Sequence, residues 1–326
     1  MIITIADAEV LARKALQAIG YNASNAEIIT RHIIDSELRG FSPSGLARIL
    51  SINDRIRSKG GEVSERIEVT RESPASAQLD GHDTLGYLVA QRATEDAIAK
   101  AKQTGIAIVG ANNTWYTGML GYYAEMASRE DLVTIIASNT SPWVAPESGY
   151  KPMFGTNPFC VGFPSTDSPI IYDIGTSKIL HADILLAQRL GKELPPNSAY
   201  NSTGQVTVNP LEALEGAIAV WGGHRGSGLA LAVQLLGVLA GSPALPSNLE
   251  DFGFLIIAIN PAIFRPLDEF KREIDEYAAQ MRASPSLAGD QLRMPFDRST
   301  ALRRERQGSG ELEVEDQVIE MLRKLA

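Results

Sequence analysis

Four glycines surround a histidine–arginine pair in the stretch Trp221–Gly228. The apolar segment that follows, residues 229–240, is predicted to be a helix. Free backbone N–H groups, the positive end of the helix dipole and the side chains of His224 and Arg225 would then converge on one point. This pattern favours an anion-binding site. The alternative is a loop whose glycines let a buried helix pack closely.

A second stretch with polar clustering runs from Phe154 to Asp183. Its two strand-like runs, Phe159–Phe163 and Ile170–Tyr172, each end in small and polar residues, and Asp-Ile-Gly-Thr-Ser follows the second at 173–177. A strand that stops at an acid and then offers glycine, threonine and serine is suited to holding polar groups of a ligand. The same five residues can equally form an ordinary turn in which the serine caps a helix.

Arginines at two other places could contact an anionic ligand. Arg48 lies in the first turn of a helix predicted at about 46–58, whereas cations are preferred near a helix C-terminus. Arg293 and Arg298 lie in a basic loop at 292–298 and could pair with phosphate. The alternative for all three is a solvated surface position.

The segment 110–118 is rich in asparagine, threonine and glycine and joins a predicted strand at 106–109 to a predicted helix at 119–129. Such a loop could lie against phosphate or ribose. It contains neither G-x-G-x-x-G nor G-x-x-x-x-G-K-[ST]. A Rossmann or P-loop fingerprint is therefore not supported.

Composition excludes several classes of protein. The 326 residues are 44% hydrophobic and carry a net charge of −9, which argues against nucleic-acid binding. One cysteine, Cys160, excludes an intramolecular disulfide framework, and four scattered histidines without HExxH predict no metal site. No apolar run reaches the ~18 residues of a membrane span, and the N-terminus does not resemble a signal peptide. We therefore expect a cytoplasmic protein without a membrane partner.

Strands and helices alternate from about residue 74 to 175, which predicts a mixed α/β class. Helices are predicted at both ends of the chain. Their ranges are 6–19, 24–38, 46–58, 266–283, 300–306 and 313–325. Ser24 is the predicted N-cap of the second helix. The Pro/Asn/Ser-rich stretch 195–210 is predicted to be a surface loop.

Taken in order, several motifs resemble those of the type-2 malate/L-lactate dehydrogenase family over nearly the whole chain. The matching stretches are Arg39-Gly40 with Gly45 and Arg48, Gly118 with 121–124, 138–142 with 144–146, 154–158, 173–177, 222–226 and 228–231. The closest local likeness is to the Δ1-piperideine-2-carboxylate reductase group. Its His-Gly-Asp run corresponds to 181–183 here, and its Arg-Leu-Pro-Gly-Asp-Arg loop corresponds to 293–298.

The resemblance implies a fold distinct from the Rossmann fold. We expect a layered α/β fold around a mainly antiparallel sheet, with a helical region formed by both termini. It further implies that an N-terminal helical region, 1–75, packs with the C-terminal helices of 265–326. The segment 76–264 would then form the dinucleotide- and substrate-binding core.

The resemblance also implies a homodimer that uses NAD(P)H to reduce a 2-oxo acid or a cyclic 2-imino acid. Arg48 would hold the substrate carboxylate, a task that suits a bidentate guanidinium. The other implied substrate-binding residues are Thr156, His181 and Ala182. The implied dinucleotide-binding residues are Tyr116, Thr117, Gly118, Met119, Leu120, Asp173, Ile174, Gly175, His224, Arg225, Arg293, Met294, Pro295, Phe296, Asp297, Arg298 and Ser299. Because Arg225, Arg293 and Arg298 could meet a 2′-phosphate, NADP(H) is favoured over NAD(H).

Two histidines characteristic of the family are replaced in this chain. Ser44 stands at the proton-donor position, and Tyr116 stands at the second position. Ketone reduction builds an alkoxide that needs a proton donor of suitable pKa, whereas serine is a poor acid and tyrosine has a reference pKa of about 10. A protonated imine relaxes this demand, because hydride addition gives a neutral amine. The carboxylate of Asp183 could favour such a cation.

Three functional interpretations follow. The leading one is an NAD(P)H-dependent reductase of a cyclic or N-alkyl imine bearing a carboxylate, with Asp183, Ser44 and Tyr116 as its catalytic residues. The second is a 2-oxo acid/2-hydroxy acid dehydrogenase of the malate or lactate type, in which Tyr116 replaces histidine as the acid. The third is a homologue that binds a dinucleotide without catalysis.

Overall fold

A computed structural model describes residues 1–287, 289 and 291–326. Its centre is a seven-stranded sheet in the strand order β2-β3-β4-β12-β5-β7-β8. The strands are β2 (Glu68–Ser73), β3 (Ser76–Leu85), β4 (Ile106–Trp115), β5 (Val133–Ser138), β7 (Phe159–Phe163), β8 (Ile170–Ile174) and β12 (Phe252–Ile259). Strands β3 and β4 are parallel, and the other neighbouring pairs are antiparallel. The predicted mixed α/β fold around a mainly antiparallel sheet is confirmed.

Helices cover both faces of this sheet. They are α4 (Gly86–Thr104) and α5 (Leu120–Ser128) on one face and α8 (His224–Leu239) on the other. Because side chains alternate along a strand, Phe254 and Ile256 of β12 join the apolar core beneath α4 and α5. Gly253 points the other way, where a Cβ atom would lie only 2.9 Å from the Gly237 carbonyl oxygen of α8. Glycine at these positions therefore lets α8 approach the sheet closely.

Both ends of the chain contribute to a helical region beside the sheet, as predicted. Its elements are β1 (Ile2–Thr4), α1 (Ile5–Ile19), α2 (Ala23–Leu38), α3 (Ala47–Ser58), α10 (Asp297–Ser309), β13 (Glu311–Glu313) and α11 (Asp316–Leu325). Strands β1 and β13 pair antiparallel, so the two ends of the chain meet. Helix α11 packs against α1 and α3, and α10 packs against α2. Buried residues such as Leu16, Ile33, Ile49 and Leu322 form the core of this region.

The division of the chain at residues 75/76 and 264/265 stays a prediction. Strand β2 precedes the first boundary and yet belongs to the central sheet. Helix α9 (Leu267–Ala283) follows the second boundary, and its Asp275 accepts a hydrogen bond from the backbone N–H of Thr166 at 3.2 Å. These two elements therefore contact the α/β core.

A small four-stranded sheet forms a lobe next to the central sheet, in the order β10-β9-β11-β6. Its elements are β6 (Val144–Ala145), β9 (Ala199–Tyr200), β10 (Val206–Thr207), β11 (Ala217–Ala219) and the helices α6 (His181–Leu190) and α7 (Pro210–Glu215). Val144, Ile184 and Ile218 form part of its core. The prediction of a plain surface loop at 195–210 was wrong, because β9 and β10 lie within it.

Two other local predictions need correction. Residues 110–115 are not loop but the second half of β4, and Asn113 donates a hydrogen bond to Asp80 at 2.9 Å. The N-cap of α2 is Asn22, whose side chain accepts the N–H of Asn25 at 3.0 Å, rather than Ser24. Within the described residues, no helix combines the length and hydropathy needed to cross a membrane.

Candidate active site

One cavity of about 350 Å³ brings together predicted site residues that are far apart in the sequence. The predicted residues on its wall are Ser44, Arg48, Tyr116, Thr117, Gly118, Met119, Leu120, Thr156, Asp173, Gly175, His181, Ala182, Phe296, Arg298 and Ser299. The wall also contains residues that sequence reasoning did not single out, namely Phe41, Thr140, Trp143, Pro158, Leu180 and Phe252. We call this space the first cavity.

Arg48 projects from the first turn of α3 and is 9% exposed. Its guanidinium carbon lies 4.2 Å from the centre of the Tyr116 ring. In the described part of the chain, no carboxylate lies within salt-bridge distance of Arg48. A buried guanidinium without an anionic partner is costly, so this arginine is suited to binding an external carboxylate.

Tyr116 follows the last residue of β4 and has a φ of 49°. A positive φ is unusual for a residue other than glycine, and such strained residues cluster at functional sites. Burial raises the pKa of the Tyr116 hydroxyl, and the positive charge of Arg48 offsets that shift only in part. Tyr116 is therefore neutral near physiological pH, and its hydroxyl is a weak acid.

The loop from Tyr116 to Met119 is held from below by His32 of α2. The Nε2 atom of His32 accepts the backbone N–H of Met119 at 2.9 Å. The imidazole is fully buried, with ring centroids of Tyr87 and Tyr122 at 4.6 and 4.4 Å. Burial lowers the pKa of His32 to about 3, so it remains neutral and can accept this hydrogen bond. Sequence reasoning missed His32, and the available signal was a polar side chain beside Ile29 and Ile33 on the buried face of α2.

Asp173, at the end of β8, lies at the N-terminus of α5. Its Oδ2 accepts the backbone N–H of Gly121 at 2.7 Å. Burial raises the pKa of Asp173 to about 6, although hydrogen bonds from the Gly121 and Leu120 amides favour its charged form. The start of α5 therefore already holds a carboxylate and is a poor place for a phosphate.

His181 and Trp143 stack face to face, with ring centroids 3.9 Å apart and an interplanar angle of 10°. Burial lowers the pKa of His181 to about 3, and the charge of Arg48 lowers it further. His181 is thus neutral. Its Nδ1 is buried without a hydrogen-bond partner among the described residues, which points to a ligand as the missing partner.

Ser44 lies at the end of a short 3₁₀ turn, Ser42–Ser44, beneath which Glu37 is buried. The Oε1 atom of Glu37 accepts the backbone N–H of Leu46 at 2.7 Å. A Cβ atom at position 45 would lie 2.3 Å from this oxygen, so only glycine fits between the turn and the carboxyl. Burial raises the pKa of Glu37 to about 7.

Asp183 does not lie on the wall of the first cavity. Its Oδ2 accepts the backbone N–H of Leu180 at 2.7 Å and so caps the start of α6. Burial raises the pKa of Asp183, and the positive charge of Arg48 opposes that shift. Because Ala182 next to it is on the wall, Asp183 lies behind the wall and does not contact the cavity.

Other predicted dinucleotide contacts also lie off this wall. They are Ile174, His224, Arg225, Arg293, Met294, Pro295 and Asp297. Arg293, Asp297 and Arg298 line an adjacent cavity of about 720 Å³, so Arg298 is common to both. Asp297 is occupied by a bidentate pair with Arg282, at 2.8 and 2.9 Å.

His224 and Arg225 are exposed in the first turn of α8. A Cβ atom on Gly226 would lie 1.6 Å from the Trp221 carbonyl oxygen, so this glycine is required for a close backbone approach. Helix α8 packs on the central sheet by one face, where Ala230, Val233 and Gly237 are buried, and its other face is exposed. Leu235 and Leu239 of α8 are 55% and 66% exposed.

The chain is similar in sequence and in structure to known dehydrogenases and reductases. A family model described as malate/L-lactate dehydrogenase matches residues 3–323. The malate/(S)-sulfolactate dehydrogenase of Methanothermus fervidus is 32% identical over 335 residues, covering 100% of this chain and 97% of that protein. The Δ1-pyrroline-2-carboxylate reductase 1 of Burkholderia ambifaria is 31% identical over 313 residues, covering 91% and 90%. The solved structure of Δ1-piperideine-2-carboxylate reductase from Pseudomonas syringae pv. tomato superposes with a TM-score of 0.86 at 25% identity, covering 100% of both chains.

Proposed function

Because the chain belongs to the malate/L-lactate dehydrogenase family, a family of oxidoreductases, we propose that it is an NAD(P)H-dependent reductase of a carboxylate-bearing imine. One observation carries the choice of an imine. Beside Arg48, the wall offers the hydroxyls of Ser44 and Tyr116 and a neutral His181, and none of these is a good acid near neutral pH. Asp173, whose pKa is raised to about 6, is on the same wall, but its carboxylate is held at the start of α5 by the backbone N–H groups of Gly121 and Leu120. A protonated imine needs no acid at the step that reduces it.

The residues present fit a nicotinamide dinucleotide. The loop from Tyr116 to Leu120 and the carboxylate of Asp173 offer backbone and side-chain groups for a carboxamide, and Arg298 leads into the adjacent cavity. When bound, NAD(P)H supplies the hydride that adds to the imine carbon. The carboxylate of Asp173 already occupies the N-terminus of α5. The phosphates of the dinucleotide would therefore bind at another place.

Arg48 binds the substrate carboxylate through a bidentate guanidinium. This contact also cancels the positive charge of Arg48, which would otherwise repel an iminium. His181 stays uncharged beside it and adds no further repulsion. Asp183 contributes a negative charge from behind Ala182, and the stacked pair of Trp143 and His181 excludes water from one side of the reacting carbon.

The test compares substrates of the two classes in one assay. Oxidation of NADPH is followed with Δ1-piperideine-2-carboxylate, Δ1-pyrroline-2-carboxylate, pyruvate and oxaloacetate. We expect kcat/KM for the imines to exceed that for the oxo acids by at least tenfold. Turnover of the oxo acids alone would overturn the imine assignment.

The second candidate is a 2-oxo acid/2-hydroxy acid dehydrogenase, and the position of Tyr116 favours it. Its side chain lies on the wall beside Arg48, where a hydroxyl could donate a proton to a new alkoxide. Tyr116→Phe separates the two candidates. Imine reduction should change by less than about threefold, whereas a catalytic proton donor contributes about 10²-fold or more. Thermal stabilisation by NADPH without turnover of any of these substrates would instead indicate a homologue that only binds the dinucleotide.

NADP(H) is the proposed cofactor. Within the described residues, neither Arg293 nor Arg298 has a carboxylate within salt-bridge distance, and both line the adjacent cavity. Guanidinium groups without a carboxylate partner, in the cavity next to the one that would hold the nicotinamide, are suited to binding a 2′-phosphate. Arg293→Gln should raise KM for NADPH by about tenfold or more and leave KM for NADH unchanged. Equal effects on both cofactors would argue against this role.

We propose that the protein forms a homodimer through the exposed face of α8. Its leucines and Val238 form a stripe of apolar side chains of the kind that marks an interaction surface. The side chains of this stripe are Leu231, Leu235, Val238 and Leu239. A second copy of the chain is the partner that would cover it.

A further inference from the structure

We propose that the substrate carries an apolar arm that occupies a second cavity behind the active-site wall. The enzyme would then act on monocarboxylic acids with an extended apolar side chain rather than on small dicarboxylates. This inference rests on the proposed reduction of a carboxylate-bearing imine or oxo acid. It adds the chemical class of the substituent that such a substrate carries.

The second cavity has a volume of about 630 Å³, compared with about 350 Å³ for the first. The two cavities share three wall residues, Tyr116, Trp143 and His181. The remaining wall comes from α3, α6, α7, β11, residues 141–142, Pro152 and the loop before β12. The side chains from α3, namely Ser51, Asp54, Arg55 and Ser58, make one side of it polar. Its apolar side chains include Pro142, Ile184, Leu185, Leu214, Ile218 and Leu249. A large space with these side chains is suited to a hydrocarbon group.

The shared wall consists of two separate groups of side chains. Trp143 stacks on His181 at 3.9 Å. Tyr116 packs instead on Trp115 at 5.5 Å and lies beneath the guanidinium of Arg48. The boundary between the cavities therefore falls between the Tyr116 ring and the Trp143–His181 pair. A carboxylate bound at Arg48 lies at this boundary.

The direction of the arm follows from the position of the cofactor loop. The reacting carbon is adjacent to the carboxylate and must face the loop from Tyr116 to Leu120 and Asp173. The substituent on that carbon then points away from the loop. The second cavity, which shares Tyr116, Trp143 and His181 with the first, takes this substituent and packs it against its apolar side chains.

The charges around the second cavity argue against a second acid group. Arg55 binds Asp83 through both terminal nitrogens of its guanidinium, Nη1 and Nη2, and Arg189 pairs with Asp54. Each arginine on this wall thus has a carboxylate already. Glu215 lies on the same wall and is exposed. A second carboxylate or a sulfonate would find no free cation there and would meet the charge of Glu215.

The size of the effect can be derived from the burial of methylene groups. Each CH₂ removed from water favours binding by a factor of about four. Two extra methylenes should therefore raise kcat/KM by roughly tenfold or more, if both enter the cavity. Small acids that end at the boundary gain nothing from it.

The experiment uses 2-oxobutanoate, 2-oxohexanoate and 2-oxooctanoate, each with and without methylamine, and oxaloacetate for comparison. We expect kcat/KM with NADPH to rise at least tenfold from the four-carbon to the six-carbon acid, and oxaloacetate to be the poorest substrate. Affinities of the same acids for the enzyme loaded with NADP⁺, measured by calorimetry, should follow the same order. This second measurement does not depend on turnover.

A matched pair of variants locates the arm. Leu214→Trp fills the second cavity and should remove the gain in kcat/KM with chain length. Leu211→Trp, on the same short helix and 58% exposed outside the cavity, should keep the gain. Equal kcat/KM for all chain lengths, or equal behaviour of the two variants, would overturn the inference without affecting the proposed function. Absence of turnover with every acid of this series and with Δ1-piperideine-2-carboxylate would overturn the proposed function, and the calorimetric series would still decide the inference.

Discussion

At the scale of single residues, Arg48 and Tyr116 determine how the site can treat an acid. The guanidinium lies over the aromatic ring at 4.2 Å, in a geometry that favours a cation–π contact. The ring lies beneath the guanidinium, and no carboxylate of the described residues competes for its N–H donors. Arg48 is thereby held in place before any substrate arrives, which reduces the entropy lost on binding.

Replacement of Arg48 tests this role. Arg48→Gln removes a charge-assisted, bidentate contact, so kcat/KM for the imine should fall by about 100-fold. The affinity for NADPH, measured by fluorescence titration, should change little. Arg57→Gln, an exposed position on the same helix, is the control and should behave as the unaltered enzyme. Similar losses in both variants would mean that α3, rather than Arg48, is at fault.

The buried carboxyl group of Glu37 should make the free energy of unfolding depend on pH. Because burial raises its pKa from 4.5 to about 7, the folded state binds the proton more tightly than the unfolded state. Stability is then lost as the pH rises from about 4.5 to 7, and Glu37→Gln should escape this loss. Between pH 5.5 and 8 the variant should gain on the unaltered protein by roughly 2 kcal/mol in the free energy of unfolding.

Urea unfolding at the two pH values measures this difference. Glu27→Gln on the same helix is the control, because a hydrogen bond from Arg31 lowers the pKa of Glu27. Glu27 is then ionised in both states over this window, and its variant should show a constant difference. A constant difference for Glu37→Gln as well would contradict the raised pKa.

At the scale of elements, α2 supports the cofactor loop through one hydrogen bond. His32→Phe keeps a ring of similar size but leaves the Met119 N–H without its acceptor. An unpaired buried donor costs about 1–3 kcal/mol, so both stability and NADPH affinity should fall. Urea unfolding and fluorescence titration report the two effects.

Two further variants make the His32 prediction specific. His32→Gln offers a carbonyl oxygen as an alternative acceptor and should restore part of the NADPH affinity. His82→Phe, at a partly exposed position on β3, should have little effect on it. NADPH affinity that is unchanged in His32→Phe would show that the loop does not depend on this bond.

The elements also show which features could be predicted from sequence. Apolar periodicity predicts α1, α2, α3 and β7 to within one residue, because each buries one face in a local core. The same reasoning ended β4 at residue 109, since Asn112 and Asn113 are poor strand formers. Their partners, Gln78 and Asp80, lie on the neighbouring strand β3. Tertiary hydrogen bonds of this kind are not visible in a linear pattern.

The candidate site divides in the same way. Arg48 and the segment at 173–177 could be singled out by type and position, and both Asp173 and Arg48 reach the first cavity. Trp143 could not, because its place depends on stacking against His181. His32 could not either, since a polar residue on a buried helix face does not reveal its partner. The wall of the second cavity combines residues that are far apart in the sequence, from Ser51 to Leu249. No local sequence pattern predicts such a space.

At the scale of the whole molecule, the exposed face of α8 predicts the assembly state. Sedimentation velocity should give twice the chain mass of 35.2 kDa. Leu235→Glu places a charge in the apolar stripe and should convert the protein to a monomer. Leu211→Glu, at an equally exposed leucine of α7, should leave the dimer intact. Sedimentation of the unaltered protein as a monomer would contradict the proposed homodimer.

The pairing of β1 with β13 has a consequence for synthesis. The first cavity takes Ser44 and Arg48 from early in the chain and Phe296, Arg298 and Ser299 from much later in it. The helical region that positions both contains the pairing of Glu311–Glu313 with Ile2–Thr4. On the ribosome, the faces of α1, α2 and α3 that pack on α10 and α11 stay uncovered until those two helices have been made. We expect chaperones that shield apolar helix faces to bind the nascent chain during that time.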